Sequence, residues 1–264
     1  MSADHQTTGN ANGHLWGERA EDWATIQEGQ CRSVYEAVLT RFITHGTRYC
    51  DAGCGAGMAV QIAHSLGARV SGLDASESLL QIARSRVPSA DLRHGELEQL
   101  PFGNASFDLV TGFNSFQYAA YPVEALREAK RVAIPGATVV IMTWGDPAGM
   151  PAAQLVAALK PLLPPPPPGA PGPFALSDKS ALEAFATSAG LQPVEFLDVD
   201  CPWQYADLAT AVRGLGSSGV AARARASSGD VAVDKAHEDV LRSFQQPDGS
   251  YKIGASFRCL IARA

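Results

Sequence analysis

The chain has 264 residues, 46% of them hydrophobic and 18% charged, with a net charge of −6. That composition supports one sizeable core, or one core with an added lobe, and excludes a disordered chain. It also argues against a broad phosphate-backbone footprint, which needs concentrated positive charge, so no nucleic-acid partner is expected.

The first thirty residues hold no apolar signal core, and no stretch nears the roughly 18 apolar residues that span a bilayer. A cytoplasmic protein with no membrane partner is expected. The cysteines Cys31, Cys50, Cys54, Cys201 and Cys259 are odd in number and form no CxxC pair. They read as reduced thiols, with no metal site.

In chain order, residues 1–14 read as a loose polar tail and 15–45 as helical. Leu15, Trp16, Trp23, Ile26, Val34, Val38 and Leu39 give an apolar face with a period near 3.6. A strand at about 47–52 meets the loop Asp51-Ala52-Gly53-Cys54-Gly55-Ala56-Gly57, and a helix follows at about 57–66. Residues 69–74 read as a second strand. Ser76 is a plausible N-cap for the next helix, which Pro88 stops. A short strand at about 90–94, a fourth at 106–113, a helix at about 122–133 and a strand at about 137–144 complete the run. Strands alternating with helices at this spacing predict βαβ units, and so a parallel sheet covered on both faces.

The second half is less regular. Pro161–Pro173 holds a five-proline run and reads as an extended connector, either a spacer or a flap at the site rim. Ser180-Ala181-Leu182-Glu183 is a capping box that predicts a helix ending near Gly190. Residues 194–199 and 257–262 read as the sixth and seventh strands. Helical pattern fills about 205–226 and 230–246, closed by the turn Pro247-Asp248-Gly249. An excursion that long between neighbouring strands suggests a substrate lid, at about 204–246.

The glycines at 53, 55 and 57 let the backbone pass close to a ligand at a helix N-terminus. A dinucleotide fingerprint would need a small residue where Met58 or Val60 stands. Asp51, at the end of the strand, would repel a pyrophosphate but attract the ammonium and sulfonium of S-adenosylmethionine (SAM). Asp74 ends the second strand at a spacing suited to accepting from a ribose diol, with a helix N-cap as the competing role. Glu96 leaves the third strand where its carboxylate can accept from an adenine amino group, and the Leu97 amide can meet the ring nitrogen. A solvated acidic turn is the alternative.

These three clusters, in this order, resemble the class I SAM-dependent methyltransferases. They are most similar to the small-molecule branch that includes ubiquinone- and menaquinone-biosynthesis-type enzymes. The similarity covers about 15–145 well and 177–200 and 251–264 more loosely. It implies a Rossmann-like α/β fold, a seven-stranded and mostly parallel sheet whose last strand is antiparallel beside the sixth. It implies that residues 1–45 cap the cofactor and that 46–264 form the SAM-binding domain.

By the resemblance, Asp51 and Gly53 hold the methionine ammonium, with Cys54 and Gly55 beside them. Asp74 and Ala75 hold the ribose, and Glu96 and Leu97 the adenine. Asn114 and Ser115 line the methionine end. Trp16, Arg19 and Trp23 close the pocket, with the arginine on the methionine carboxylate; a core-packing stripe is the other role for them. Relatives often carry aspartate at the position of Glu96, and histidine or tryptophan where Gln117-Tyr118 stands.

Methyl transfer is an in-line displacement in which the donor carries the activation, so the protein supplies alignment and desolvation. Among His5, His14, His45, His64, His94 and His237, only His14 and His237 are placed to reach a substrate. No catalytic residue is assigned. Phe116, Tyr118, Tyr121, Trp144, Trp203 and Tyr205 offer an aromatic wall for an apolar small molecule, or plain core. Phe116, Tyr118, Trp203 and Tyr205 are the substrate-binding candidates. Arg213, Arg223 and Arg225 give the excursion a basic face, for an acidic substrate or for water. The expected function is SAM-dependent methyl transfer to a small molecule, by a monomer or homodimer. The alternatives are a SAM-binding enzyme that does not methylate, such as a cyclase, and a nucleoside-binding regulator.

Overall fold

The computed structural model describes residues 9–165 and 173–264. His5, the start of the expected tail and most of the proline-rich connector lie outside the described residues. Seven strands form the main sheet: β1 (Arg48–Ala52), β2 (Arg69–Asp74), β3 (Asp91–His94), β4 (Phe107–Phe113), β5 (Ala133–Trp144), β6 (Gln192–Asp200) and, after the hairpin β7 (Trp203–Tyr205) and β8 (Tyr251–Ile253), β9 (Ser256–Arg263). Their order is β3-β2-β1-β4-β5-β9-β6. The first five pair in parallel, and β9 runs antiparallel between β5 and β6. The expected α/β architecture is therefore present, with its antiparallel last strand beside the sixth.

The period of two along each strand divides the core between the two faces. Tyr49, Leu109, Val140, Met142 and Cys259 pack on one side, and Cys50, Val110, Val139, Ile141 and Leu260 on the other. Apolar runs buried on both faces are what a covered parallel sheet requires.

The N-terminal segment departs from the expected single helical stretch. It comprises α1 (Gly9–Gly17), the one-turn α2 (Ala20–Asp22), a π turn at Trp23–Gln27, a 3₁₀ turn at Glu28–Cys31, and α3 (Arg32–Phe42). Thus α1 begins inside the region read as a loose tail. Three glycines in nine residues conceal a helix from propensity reasoning, because each is worth roughly 1 kcal/mol less than alanine.

The crossovers α4 (Met58–Ser65), α5 (Glu77–Arg86) and α6 (Pro122–Val132) fall where the pattern placed them. Ser76 caps α5, its hydroxyl accepting from Leu79 N. The short helix α7 (Ala152–Ala158) had no sequence signal strong enough to read. In α8 (Lys179–Ser188) the N-cap is Asp178, which accepts from Ala181 N at 2.9 Å. Ser180 is already helical, so the expected capping box does not form. The excursion contains α9 (Leu208–Gly216), α10 (Gly219–Ser228) and α11 (Asp230–Leu241). The β7–β8 hairpin closes its base. Among the described residues no helix is long and apolar enough to cross a membrane.

One ion pair ties the N-terminal segment to this scaffold. Arg86, at the end of α5, pairs with Glu28 and also donates to Ala56 O at 2.8 Å and Ala24 O at 2.7 Å. Glu28 is 3% exposed, and its other oxygen accepts from Met58 N at 3.1 Å, the first residue of α4. Burial pushes the Glu28 carboxyl above its ordinary range, and the Arg86 guanidinium opposes that push. Replacing one partner would strand the other charge. Arg86→Met is expected to lower stability in urea by about 3–5 kcal/mol, and adding Glu28→Gln should recover part of that loss. A double variant no more stable than the single would show that the two groups are not coupled.

Candidate functional site

The strand order reverses direction between β1 and β4, and a crevice opens there, outside the carboxyl ends of the parallel strands. The cavity in that position has a volume of about 120 Å³ and is partly open to solvent.

Its floor is the glycine loop. Gly53 N and Cys54 N both donate to Leu73 O, at 2.8 and 2.9 Å, which curls the chain back over the end of β2. Gly53 holds φ +85°, and a Cβ there would lie 2.4 Å from Ser115 Cβ. Only glycine lets the loop meet the end of β4 this closely. Asp74 fixes the other side, with Oδ2 accepting from Gly55 N and Oδ1 from Ser76 N, both at 2.8 Å. Each oxygen keeps a second lone pair, and the residue lines the cavity. Burial raises the Asp74 carboxyl, opposed by those amide hydrogen bonds. Ser76, not Asp74, is the helix cap.

The N-terminus of α4 is where a pyrophosphate would rest. Here Glu28 occupies it through the Met58 amide. A carboxylate built into that position disfavours any phosphate.

The roof is α1. Gly9 N donates to Glu96 Oε2 at 2.9 Å. Ideal Cβ atoms on Gly9, Gly13 and Gly17 would fall within 2.4 Å of Glu96, Ala75 O and Ser78 Oγ respectively. The bare glycine face thus lets the helix backbone press onto the loops that follow β2 and β3. From the roof, Trp16 meets Trp23 edge-on at 5.0 Å and Tyr118 at 5.5 Å.

Eleven residues singled out in the sequence line this cavity: Trp16, Trp23, Gly53, Gly55, Asp74, Ala75, Glu96, Leu97, Asn114, Ser115 and Tyr118. Asn114 has φ +57°, an uncommon left-handed conformation for a residue with a side chain, and it turns the chain out of β4.

Other residues stand elsewhere. Asp51 is 2% exposed behind the loop and accepts from Thr111 Oγ1 at 2.7 Å. Cys54 packs beneath the loop against Gly72. Arg19 reaches Asp230 at 3.5 Å and does not line the cavity. Phe116 is core, its ring lying over Gly112. Trp203 packs on Trp144 at 5.8 Å, and Tyr205 donates to Gln27 Oε1 at 2.8 Å. Tyr121 is 42% exposed. Aromatic character alone could not separate these core rings from the wall of a site.

The excursion behaves differently from a lid on the cavity. None of residues 204–246 lines it. Instead α10 backs the roof, with Gly219 tucked against the Trp16 indole. Arg213 pairs with Asp22 at 2.5 Å, while Arg225 is buried beside Asp230. Of the expected basic face, only Arg223 forms no ion pair among the described residues. His237 is 2% exposed, and burial together with Arg225 lowers it to about 4. His14 is exposed on α1 and lines no part of the cavity.

The inner end of the cavity was not foreseen. Cys31, Tyr35, Phe113 and Met142 line it, and Tyr35 lies against Phe113 at 4.7 Å. In sequence these residues look like ordinary core positions. Among the described lining residues the charged ones are Asp74, Glu96 and Glu98, all acidic. A cationic ligand fits such a lining.

Burial, opposed by the Thr111 hydrogen bond, pushes the Asp51 carboxyl up to about 8. A carboxyl whose folded pKa is raised contributes stability below its unfolded pKa, and loses it as pH rises through the folded one. In ligand-free protein the Asp51 contribution should therefore fall between about pH 4 and pH 8. Asp51→Asn should flatten that fall in urea midpoints measured across the range; parallel curves for parent and variant would contradict it.

A family described as a methyltransferase domain matches residues 50–141. A Mycolicibacterium smegmatis protein named a probable S-adenosylmethionine-dependent methyltransferase is 34% identical over 98 residues, covering 37% of this chain and 38% of its own. The demethylmenaquinone methyltransferase of Listeria welshimeri is 36% identical over 114 residues, 40% of this chain and 48% of its own. The chain thus matches less than half the length of these relatives. Among solved structures, the [4+2]-cyclase SpnF shares the fold at a TM-score of 0.57 and 18% identity, over 91% of this chain and 84% of that one. The matched segment spans β1 to β5 and carries the glycine loop, Asp74, Glu96 and Asn114. On these grounds residues 50–141 form a methyltransferase domain, similar to the class I SAM-dependent methyltransferases, and SAM is its cofactor.

Proposed function

We propose that the protein transfers a methyl group from SAM to a small-molecule acceptor, in the cytoplasm, as a monomer or homodimer. The observation that carries this reading is the cavity itself. Its acidic outer part suits a cationic nucleoside, and an apolar inner part continues from it. SAM supplies an electrophilic methyl group, which the acceptor's lone pair takes as the C–S bond breaks and its electron pair stays on sulfur.

The chain's own residues bind, orient and exclude water. Asp74 would accept from the ribose diol, Glu96 and the Leu97 amide would hold the adenine, and Asn114 and Ser115 would border the methionine end. The Gly53–Gly55 backbone would hold the ammonium end, with the Asp51 carboxyl behind it. Trp16 and Trp23, under α1, shut out solvent and so strengthen every polar contact inside. No histidine or lysine lines the cavity among the described residues, so no protein base is assigned to the acceptor's proton. An acceptor that is not a nucleic acid is supported by the net charge of −6, and the relative named for demethylmenaquinone fits a small-molecule acceptor.

Asp74→Ala removes a charged acceptor, and SAM affinity should fall about ten- to hundredfold by titration calorimetry. The circular dichroism spectrum should stay that of the parent. Parent-like affinity would remove the ribose assignment. Release of S-adenosylhomocysteine with an acceptor panel separates methyl transfer from a reading in which SAM is retained without reacting.

A further inference from the structure

We propose that the acceptor is a neutral, mainly apolar molecule bearing one hydroxyl or N–H group, and that Tyr35 positions it by accepting a hydrogen bond from that group. This rests on the methyl-transfer reading above and specifies its substrate.

The inner end of the cavity is walled by Cys31, Tyr35, Phe113 and Met142. It holds no ionisable side chain of ordinary acidity, so a charged acceptor would lose its hydration without compensation. The surroundings work against charge of either sign. The carboxylates of Asp74, Glu96 and Glu98 line the same cavity with no lysine or arginine among the described lining residues, which disfavours an anion. The sulfonium of the bound cofactor disfavours a cation. A neutral molecule remains.

The polar groups near this end are mostly engaged with each other. Asn114 Oδ1 accepts from Gln117 Nε2, and the Asn114 side chain is also hydrogen-bonded with the Tyr118 hydroxyl. Tyr35 differs. Its hydroxyl lies beside the Cys31 thiol, and whichever of the two donates, the phenolic oxygen keeps a lone pair for a third group. Burial raises both groups above their ordinary values, so the pair stays neutral. Phe113 packs on the Tyr35 ring at 4.7 Å and holds it in place. A lone acceptor in an apolar chamber selects for a substrate donor, because a molecule without one leaves that oxygen unpaired.

The test uses the full chain saturated with S-adenosylhomocysteine, titrated calorimetrically with naphthol, naphthoate and naphthalene. Naphthol should bind about five- to tenfold tighter than naphthalene, the worth of one hydrogen bond, and naphthoate should bind more weakly than naphthol. Tyr35→Phe, which keeps the ring, should bring naphthol to the naphthalene level while leaving S-adenosylhomocysteine affinity unchanged. With any acceptor the panel reveals, the same variant should raise KM more than it lowers kcat. Naphthoate binding as tightly as naphthol, no naphthol binding, or an unchanged Tyr35→Phe would each overturn the proposal. Failure of S-adenosylhomocysteine to bind the parent would instead remove the cofactor reading beneath it.

Discussion

The guanidinium of Arg86 holds three parts of the chain in one place. It joins the Glu28 carboxylate, the Ala24 carbonyl and the Ala56 carbonyl, and so fastens the N-terminal segment to the glycine loop at the head of α4. Without that fastening the sheet could still form, since β1 to β5 make their own ladders. The cavity would lose its inner wall, however, because Cys31 and Tyr35 follow directly from Glu28. A buried ion pair is a poor source of net stability but a strong penalty on any arrangement that separates its members. Here the penalty falls on arrangements in which the N-terminal segment leaves the cofactor loop.

The same carboxylate shapes ligand choice. A helix N-terminus beside a glycine loop normally invites phosphate, and Glu28 takes that place at Met58 N. With Asp74, Glu96 and Glu98 around the cavity, the site's electrostatics are set against anions and for a cationic nucleoside. The fold is shared with many nucleotide-binding proteins; the selection lies in where its carboxylates stand.

The sheet was legible because its signal is local. Each strand from β1 to β5 is a short apolar run bounded by turn residues, and each intervening helix has its own periodic face. The loops that line the cavity were legible for the same reason, being anchored to strand ends. Tyr35 and Cys31 were not, because a side chain that lines a cavity from a helix looks in sequence like one that fills a core. The converse error placed Trp203, Tyr205 and Phe116 at the substrate when they pack in the interior. Arg86 and Arg19 depended on contacts across 58 and 211 positions of chain, which no local pattern encodes. The excursion was found as helices, but its job of backing α1 came only from the packing of Gly219 on Trp16.

The glycine face of α1 carries one more consequence. A nine-residue helix with glycine at every fourth position has almost no helicity of its own. It is helical because it is docked, on Glu96, Ala75 and Ser78 below and α10 above. Undocking and unwinding are therefore one event, and the freed segment regains backbone entropy as it departs. Lifting this roof would then be a local unfolding, not the swing of a rigid door.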